Sequence, residues 1–427
     1  MNKQRFLPVM TPKNLLLGFQ HVFAMFGATV LVPLITGLNI STTLFAAGVG
    51  TLLFHFVTKG KVPAFLGSSF AFLGGFAIVA PKLLDANGEA TIPNVEMLPY
   101  ACGGVVAAGL LYIVMSGLIK AFGIKKIMKF FPPIVTGPII ISIGLILAPN
   151  AITNASTNWL LAVVALAIII ICNIWGKGMI KIIPILLGVV GSYIVALCTG
   201  AVDFSTVAAA DLIGSPVIPE AFAKFDISAI ITIMPIALAA MMEHIGDIAA
   251  ISATTGENYI EDPGLHRTLL GDGLATSFAG FIGGPANTTY GENTGVLALT
   301  KVYDPAIVRL AAVIAVILSC VPKFDAIVNS IPAAVIGGVS LILYGMISAV
   351  GVRNIVENKI DFTQSRNLII AAVILVSALG FNSTGGITFT VANATITLSG
   401  LAIAAILGIA LNAILPGNDY EFGKQPE

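Results

Sequence analysis

Long apolar runs separated by short polar breaks occupy almost the whole chain. A helix needs about 20 apolar residues to cross the hydrocarbon core of a bilayer. On that measure the pattern predicts an all-α polytopic membrane protein with fourteen membrane-spanning segments. They lie at 14–36, 39–58, 62–81, 99–122, 130–148, 158–176, 182–202, 228–250, 267–283, 285–300, 305–322, 331–350, 367–382 and 398–415.

The composition supports a membrane environment. Of the 427 residues, 57% are hydrophobic and 10% are charged, whereas about 25% of the residues of a soluble domain are charged. The mean hydropathy is +0.99. The lipid bilayer is therefore the expected partner, and no nucleic-acid partner is expected.

Basic residues are distributed asymmetrically across this predicted topology. Cytoplasmic loops collect Lys and Arg. With the N-terminus inside, 18 of the 21 Lys and Arg residues fall on the inner side, and only Lys82, Lys224 and Lys323 fall outside. A wrong number of spans would scramble this asymmetry partway along the chain. An even number of spans then places both termini in the cytoplasm.

The third and tenth predicted spans do not have the composition of a continuous helix. The third contains VPAFLGSSFAFLGG at 62–75, and the tenth contains GGPANTTYGENTG at 283–295. Each has a proline near its start, mixes aromatic with β-branched or hydroxyl residues, and runs into glycine. Because proline and glycine interrupt helices, each is predicted to be a short extended piece followed by a half-helix.

The positions of these two segments indicate an inverted repeat. When the chain is divided in the loop at 203–227, each broken segment is the third span of its half. Seven spans is an odd number, so the second half is inverted relative to the first. Paired interrupted segments in inverted halves are typical of a transporter's substrate site, where half-helix N-termini offer N–H donors. The alternative is a pair of Gly/Pro kinks that only assist packing.

Four acidic residues interrupt apolar stretches in the second half. Glu243 and Asp247, within AAMMEHIGDIAA at 239–250, are spaced i, i+4 and share one helix face. Asp272 lies in the ninth predicted span and Glu292 in the tenth. Each costs about 2.5–3.5 kcal/mol at the centre of a membrane helix on insertion scales. No Lys or Arg lies deep in a predicted span to pair with them, so at least one is expected to hold a proton part of the time. All four are candidate proton-coupling groups.

His21 and His244 are further candidates. For both, the alternative is a histidine that is packed and hydrogen-bonded within the protein.

The common enzyme motifs are missing. EHIGD does not match the HExxH zinc motif, and the chain has no GxSxG elbow and no GK[ST] phosphate loop. We therefore expect no metal site, no cofactor and no enzymatic activity.

Four stretches, in this order, carry a resemblance to a known family. They are QHVFAMFGATVLVP at 20–33, PAFLGSSFAF at 63–72, ENTGVLALTK at 292–301 and GGVSLILYG at 337–345. Over about 16–415 the chain resembles the nucleobase–ascorbate transporter family. The stretch GPANTTYGEN makes the chain most similar to the bacterial uracil permease branch of this family.

The resemblance implies an architecture. It is a 7+7 inverted repeat, usually dimeric, in which a core domain carries the substrate against a gate domain. The core domain would comprise 1–122 and 228–322. The gate domain would comprise 123–227 and 323–427, including a cytoplasmic tail.

The resemblance also implies site residues, carried over position by position. Phe70 and Gly291 would offer main-chain groups at the broken segments. The proton-coupling group would be Glu243, Asp247, Glu292 and Asp272. The substrate site would comprise Ala28, Ser69, Phe70, Glu243, Tyr290, Gly291, Glu292 and Tyr344.

The function implied is proton-coupled import of uracil across a bacterial cytoplasmic (inner) membrane by a uracil:proton symporter, with uracil and protons as cargo. Some uracil permeases have histidine at the position of Asp247, whereas many family members, including purine carriers, have aspartate. Xanthine and urate carriers typically have glutamine at the position of Glu292. A xanthine or other purine permease is therefore the first alternative. An anion transporter or channel of the same architecture is the second, although such a protein would be expected to have a cation at its site.

Overall fold

The computed structural model of the chain describes residues 6–84, 90–391 and 394–417. The first five residues and the predicted cytoplasmic tail from 418 lie outside the described residues. The described part is mostly helical, and its short strands form three two-stranded sheets.

The helices are numbered in chain order. They are α1 Pro12–Thr36, α2 Ile40–Val57, α3 Leu73–Val79, α4 Leu98–Phe122, α5 Ile124–Met128, α6 Pro133–Ser156, α7 Trp159–Trp175, α8 Met179–Ile182, α9 Pro184–Cys198, α10 Ser205–Ala209, α11 Ile227–Ile233, α12 Ala237–Thr255, α13 Leu265–Phe281, α14 Gly291–Thr300, α15 Pro305–Ser319, α16 Pro322–Asn329, α17 Ala333–Glu357, α18 Ser365–Ser383 and α19 Gly400–Ile414.

The strands pair within three small antiparallel sheets. They are β1 Leu66–Ser68, β2 Leu83–Leu84, β3 Ala90–Ile92, β4 Asn287–Thr289, β5 Ile387–Val391 and β6 Ala394–Leu398. β2 pairs with β3 and β5 with β6, as neighbours in the chain. β1 and β4 come from different halves of the chain and pair with each other.

Seven helices in the described residues are long and apolar enough to cross a membrane. They are α1, α2, α4, α6, α17, α18 and the continuous 29-residue unit formed by α11 and α12. α15 and α16 would make an eighth span as one pair, although they are bent by 85°. Shorter apolar helices run over Phe70–Val79 and along α7, α9 and α19. The prediction of a helical protein with several membrane spans is confirmed at this level.

Several helices begin where a polar side chain caps the first turn. The side chains of Thr11, Asn39, Asp226, Asp304 and Ser399 accept backbone N–H bonds at the starts of α1, α2, α11, α15 and α19. A cap of this kind satisfies one of the N–H groups that the first turn leaves without a helical partner. These polar residues therefore mark where apolar runs begin as helices.

The helices pack against one another in two groups. α4 packs against α13, and α2 packs against α15. α7 packs against α9, and α18 packs against α19. α17 contacts α7 and α9, while α6 contacts α18 and α19, and α6 and α17 share an extensive interface. The buried apolar core is continuous through both sets.

Hydrogen bonds and an ion pair hold connecting loops against the two ends of α2. At its start, the Thr42 hydroxyl donates to the carbonyl of Pro216 at 2.6 Å. At its end, Arg267 donates to the carbonyl of Val57 at 3.0 Å, and Lys61 forms an ion pair with Asp262. The long loop before α11 and the turn before α13 therefore lie at opposite ends of the helical bundle.

Candidate functional site

The centre of the molecule is the pairing of β1 with β4. Leu66 faces Thr289, Gly67 faces Thr288, and Ser68 faces Asn287 in an antiparallel register. Each strand leads directly into a short helix, α3 through a 3-10 turn on one side and α14 on the other. The strands satisfy each other's backbone groups, and side chains of Thr51, Thr276 and Tyr290 bond further ones, as a bilayer interior without water requires. The two short helices consequently start from one shared platform.

Tyr290 fastens this platform to α1. Its hydroxyl donates to the carbonyl of Ser68 at 2.8 Å, and the Thr29 hydroxyl donates to the Tyr290 oxygen at 3.4 Å. A Cβ at Gly67 would lie 2.5 Å from the Tyr290 ring and 2.6 Å from Thr29 Oγ1. Only glycine allows this approach. The side chain of Tyr290, predicted to bind substrate, is therefore buried and engaged within the protein.

We expect Gly67→Ala to disturb this platform and to lower transport. Overpacking a filled site costs about 1–3 kcal/mol, and here the displaced group is the ring that anchors β4. The matched control is Gly74→Ala, because no atom lies within 4 Å of the Cβ position there. The unfolding temperature and the rate of substrate uptake should fall for Gly67→Ala and not for Gly74→Ala. Equal effects of the two substitutions would contradict the role of Gly67.

The backbone donors of the platform are only partly available to a ligand. The N–H of Ser69 donates to the carbonyl of Ala286 at 2.8 Å, and the N–H of Tyr290 donates to the carbonyl of Phe65 at 3.0 Å. The first N–H groups of a helix have no partner within that helix. The donors that face a ligand are thus expected one residue further on, at Phe70 and Gly291. The N–H of Ser69 is bonded within the fold.

Three carboxylates lie beside these helix starts. Glu243 and Asp247 are half-buried on α12, and Glu292 is half-buried in the first turn of α14. If ionised, Glu243 and Asp247 would each be repelled by an ionised Glu292. A Cβ on Gly291 would lie 3.2 Å from Asp247 Oδ1. Glu292 lies in the first turn of α14, where the positive end of the helix dipole favours a carboxylate.

The fourth predicted acid, Asp272, is placed differently. It lies on α13 with no exposed side-chain surface, and its Oδ2 is 3.1 Å from Nδ1 of His244, which is also fully buried. His244 Nδ1 lies 3.3 Å from the hydroxyl of Thr289, and that hydroxyl donates to Asp247 Oδ2 at 3.2 Å. Asp272 is thus separated from the half-buried acids by His244 and Thr289.

The remaining predicted residues surround the platform. Ala28 is buried on α1. The Tyr344 ring, on α17, meets the Phe70 ring edge-on with centroids 6.1 Å apart. His21 is buried and does not face the carboxylates directly. Its Nδ1 and its carbonyl lie 3.1 and 3.0 Å from Nδ2 of Asn293, so His21 holds the start of α14 in place.

Sequence reasoning did not single out three residues that assemble the site. Thr289 links α12 to β4, Thr29 links α1 to Tyr290, and Asn293 links α14 to α1. A signal for two of them was available, since NTTYGEN places Thr289 and Asn293 beside residues that were predicted. Thr29 had a similar signal, since it follows the predicted Ala28 within QHVFAMFGATVLVP. Among the described residues, no group of three His, Cys, Asp or Glu side chains is arranged to hold a metal ion.

Comparison with known proteins identifies the family. Residues 12–385 match the family model described as "Permease family". The chain is 42% identical to the uracil permease of Bacillus caldolyticus, over 94% of this chain and 91% of the relative. It is 41% identical to the uracil permease of Bacillus subtilis (strain 168), over 93% and 92%.

A solved structure shares the fold. The transmembrane domain of the cyanobacterium bicarbonate transporter BicA superposes with a TM-score of 0.61 at 16% sequence identity, over 94% of this chain and 97% of that one. The two permease relatives confirm the resemblance to the nucleobase transporters. Because the matched family consists of permeases, the prediction that the chain is not an enzyme is also confirmed. The chain belongs to this permease family.

Proposed function

We propose that this protein imports uracil across a bacterial cytoplasmic membrane as a uracil:proton symporter. The observation that carries the proposal is the β1–β4 platform, which presents two half-helix starts beside Glu243 and Glu292. The relatives named uracil permeases, at 41–42% identity over most of both chains, support uracil as the cargo.

The chemistry of the site matches that cargo. Uracil has two N–H donors and two carbonyl acceptors. The carboxylates of Glu243 and Glu292 accept from the N–H groups, and the backbone N–H groups of Phe70 and Gly291 donate to the carbonyls. Ala28 leaves room for the flat ring, and Tyr344 closes the site from α17. A site built for particular N–H groups rejects analogues that lack them, because its own polar groups would remain unpaired.

Proton coupling follows from unpaired acids within the membrane. Among the described residues, Glu243, Asp247 and Glu292 form no ion pair with Lys or Arg. Three uncompensated charges this close together are unfavourable in a medium of low dielectric constant. In the proposed cycle Glu243 takes a proton from the outer side, uracil binds between Glu243 and Glu292, and both leave inward.

The packing pattern supports a 7+7 inverted repeat of fourteen spans. With β1–α3 and β4–α14 as the third and tenth spans, the contact of α4 with α13 joins spans 4 and 9, and that of α2 with α15 joins spans 2 and 11. Adding seven to one span number and subtracting seven from the other exchanges these two pairs. The same operation exchanges α17–α9 with α6–α19, and adding seven to both span numbers converts α7–α9 into α18–α19.

The same contacts support a core domain of 1–122 and 228–322 and a gate domain of 123–227 and 323–427. α2, α4, α13 and α15 pack among themselves, as do α6, α7, α9, α17, α18 and α19. Alternating access would move the core against the gate. We further propose a homodimer with both termini in the cytoplasm, an orientation supported by the distribution of Lys and Arg.

Uptake of radiolabelled uracil tests this proposal. A permease-deficient bacterial strain that expresses the chain should show saturable uptake that collapses when a protonophore is added. Unlabelled uracil should compete more strongly than xanthine. Protein present in the membrane without uracil uptake would contradict uracil as the cargo, and stronger competition by xanthine would favour the purine alternative suggested by Asp247.

A further inference from the structure

His244 lies next to Glu243 in the chain but faces a different part of the molecule. Its ring is fully buried between Asp272 on α13, Thr289 at the end of β4 and Phe54 on α2, whose ring meets it edge-on at 6.3 Å. Successive residues of a helix point about 100° apart. His244 therefore does not share the carboxylate face of Glu243 and Asp247.

His244 and Asp272 are in close contact in the buried interior, with Nδ1 and Oδ2 3.1 Å apart. At that distance a nitrogen lone pair and an ionised oxygen would repel each other, so a proton on one of the two groups relieves the contact. In the described structure, His244 Nε2 and both carboxyl oxygens of Asp272 have no hydrogen-bonding partner. A net charge buried with so little compensation is costly. A neutral pair, with the proton on either atom, avoids that cost.

We propose that His244 and Asp272 form a neutral, proton-sharing pair that positions Thr289, and through it Asp247, so that Asp272 anchors the site and does not carry the transported proton. The proposal rests on the function proposed above. It makes His244 and Asp272 positioning residues and leaves proton transport to the half-buried acids.

Hydrogen bonds connect the pair to Asp247 through Thr289. The Thr289 hydroxyl donates to Asp247 Oδ2 at 3.2 Å and lies 3.3 Å from His244 Nδ1. When Nδ1 carries the proton, Asp272 Oδ2 and the Thr289 oxygen share it as acceptors, and the Thr289 proton remains committed to Asp247. Thr289 is followed by Tyr290 and Gly291, where α14 begins. The pair thus fixes a carboxylate of the site and the strand that carries one of the half-helices.

The other titratable groups around the pair belong to three helices. Glu243 and Asp247 are on α12 itself, and Glu292 is on α14. Tyr112 is on α4, where the negative charges of Asp272 and Glu243 would oppose its ionisation. Among these four acids, Asp272 contacts His244 directly. That contact distinguishes Asp272, which is fully buried, from the other three acids, which are only half-buried.

The test compares His244→Gln, Asp272→Asn and the double variant His244→Gln/Asp272→Asn in the full-length chain. Breaking a buried pair by removing one partner is destabilising, whereas neutral replacement of both is tolerated. We expect each single variant to lower uracil accumulation by about tenfold or more, and the double variant to recover to within about threefold of the wild type. Accumulation in the double variant should remain sensitive to protonophore.

Three measurements separate the outcomes. Uracil accumulation reports coupling, exchange of labelled for unlabelled uracil reports binding and movement without coupling, and thermal unfolding of the purified protein reports the pair independently of the cargo. Exchange without accumulation in the double variant would make Asp272 a proton carrier and overturn the proposal. Additive losses of stability, or a double variant absent from the membrane, would also overturn it. If the wild type carries no uracil, the proposed function fails. Comparison of the thermal unfolding of the wild type, the two single variants and the double variant still decides whether the pair exists.

Discussion

Glu243→Gln is expected to abolish accumulation of uracil against a gradient. The substitution keeps the size of the side chain and removes the carboxylate that both accepts from uracil and holds the transported proton. Hydrogen bonds to charged groups contribute about 1.5–3 kcal/mol, equivalent to roughly 10- to 100-fold in affinity, and the loss of coupling adds to this. Steady-state accumulation of labelled uracil, with and without protonophore, measures the effect.

The control for this substitution is Glu257→Gln. Glu257 is exposed just beyond the end of α12, so its variant should accumulate uracil as the wild type does. Exchange of uracil should persist in Glu243→Gln at a reduced rate if the site still closes on its cargo. Active, protonophore-sensitive accumulation by Glu243→Gln would assign coupling to Asp247 or Glu292 instead.

Glu292→Gln should weaken uracil recognition more than it weakens coupling. The amide replaces one carboxylate oxygen by an NH₂ group, which faces the N–H of uracil as a second donor. Leaving such a buried donor unsatisfied costs about 1–3 kcal/mol, so the half-maximal uracil concentration should rise by roughly 5- to 150-fold. Initial uptake rates over a range of uracil concentrations measure this change.

A competition assay makes the second prediction specific. The advantage of uracil over xanthine as a competitor should shrink in Glu292→Gln, because the site then no longer has two carboxylate acceptors for the N–H groups of the pyrimidine. The uptake that remains should still collapse with protonophore. An unchanged half-maximal concentration would place Glu292 outside the substrate site.

Much of the helical framework could be predicted from local sequence. Apolar runs predicted α1, α2 and α4 to within about two residues at each end, because the length of an apolar helix is constrained by the membrane itself. α6 and α17 continue to Ser156 and Glu357, beyond their predicted ends at 148 and 350. The starts of several helices were signalled by capping residues such as Asn39 and Asp226. The acids of α12 were visible because they are unusual within an apolar run.

The partners of the polar groups could not be predicted in the same way. Nothing near Ser69 in the chain indicates that its N–H is bound by Ala286. The contact of His244 with Asp272 depends on how α12 and α13 are rotated against each other. Such contacts depend on the packing of elements distant in sequence, which hydrophobic periodicity does not encode.

The β1–β4 pairing has a consequence for how the chain is made. Ser68 and Tyr290, which meet in this platform, are 222 residues apart in the sequence. When the ribosome has completed the first half of the protein, the backbone groups of β1 have no β4 to pair with. That segment must be sheltered from lipid, by water or by insertion machinery, until the second half arrives. Late closure of this one contact would make membrane insertion and completion of the site a single event, so a chain truncated before β4 should be a substrate for quality-control proteases.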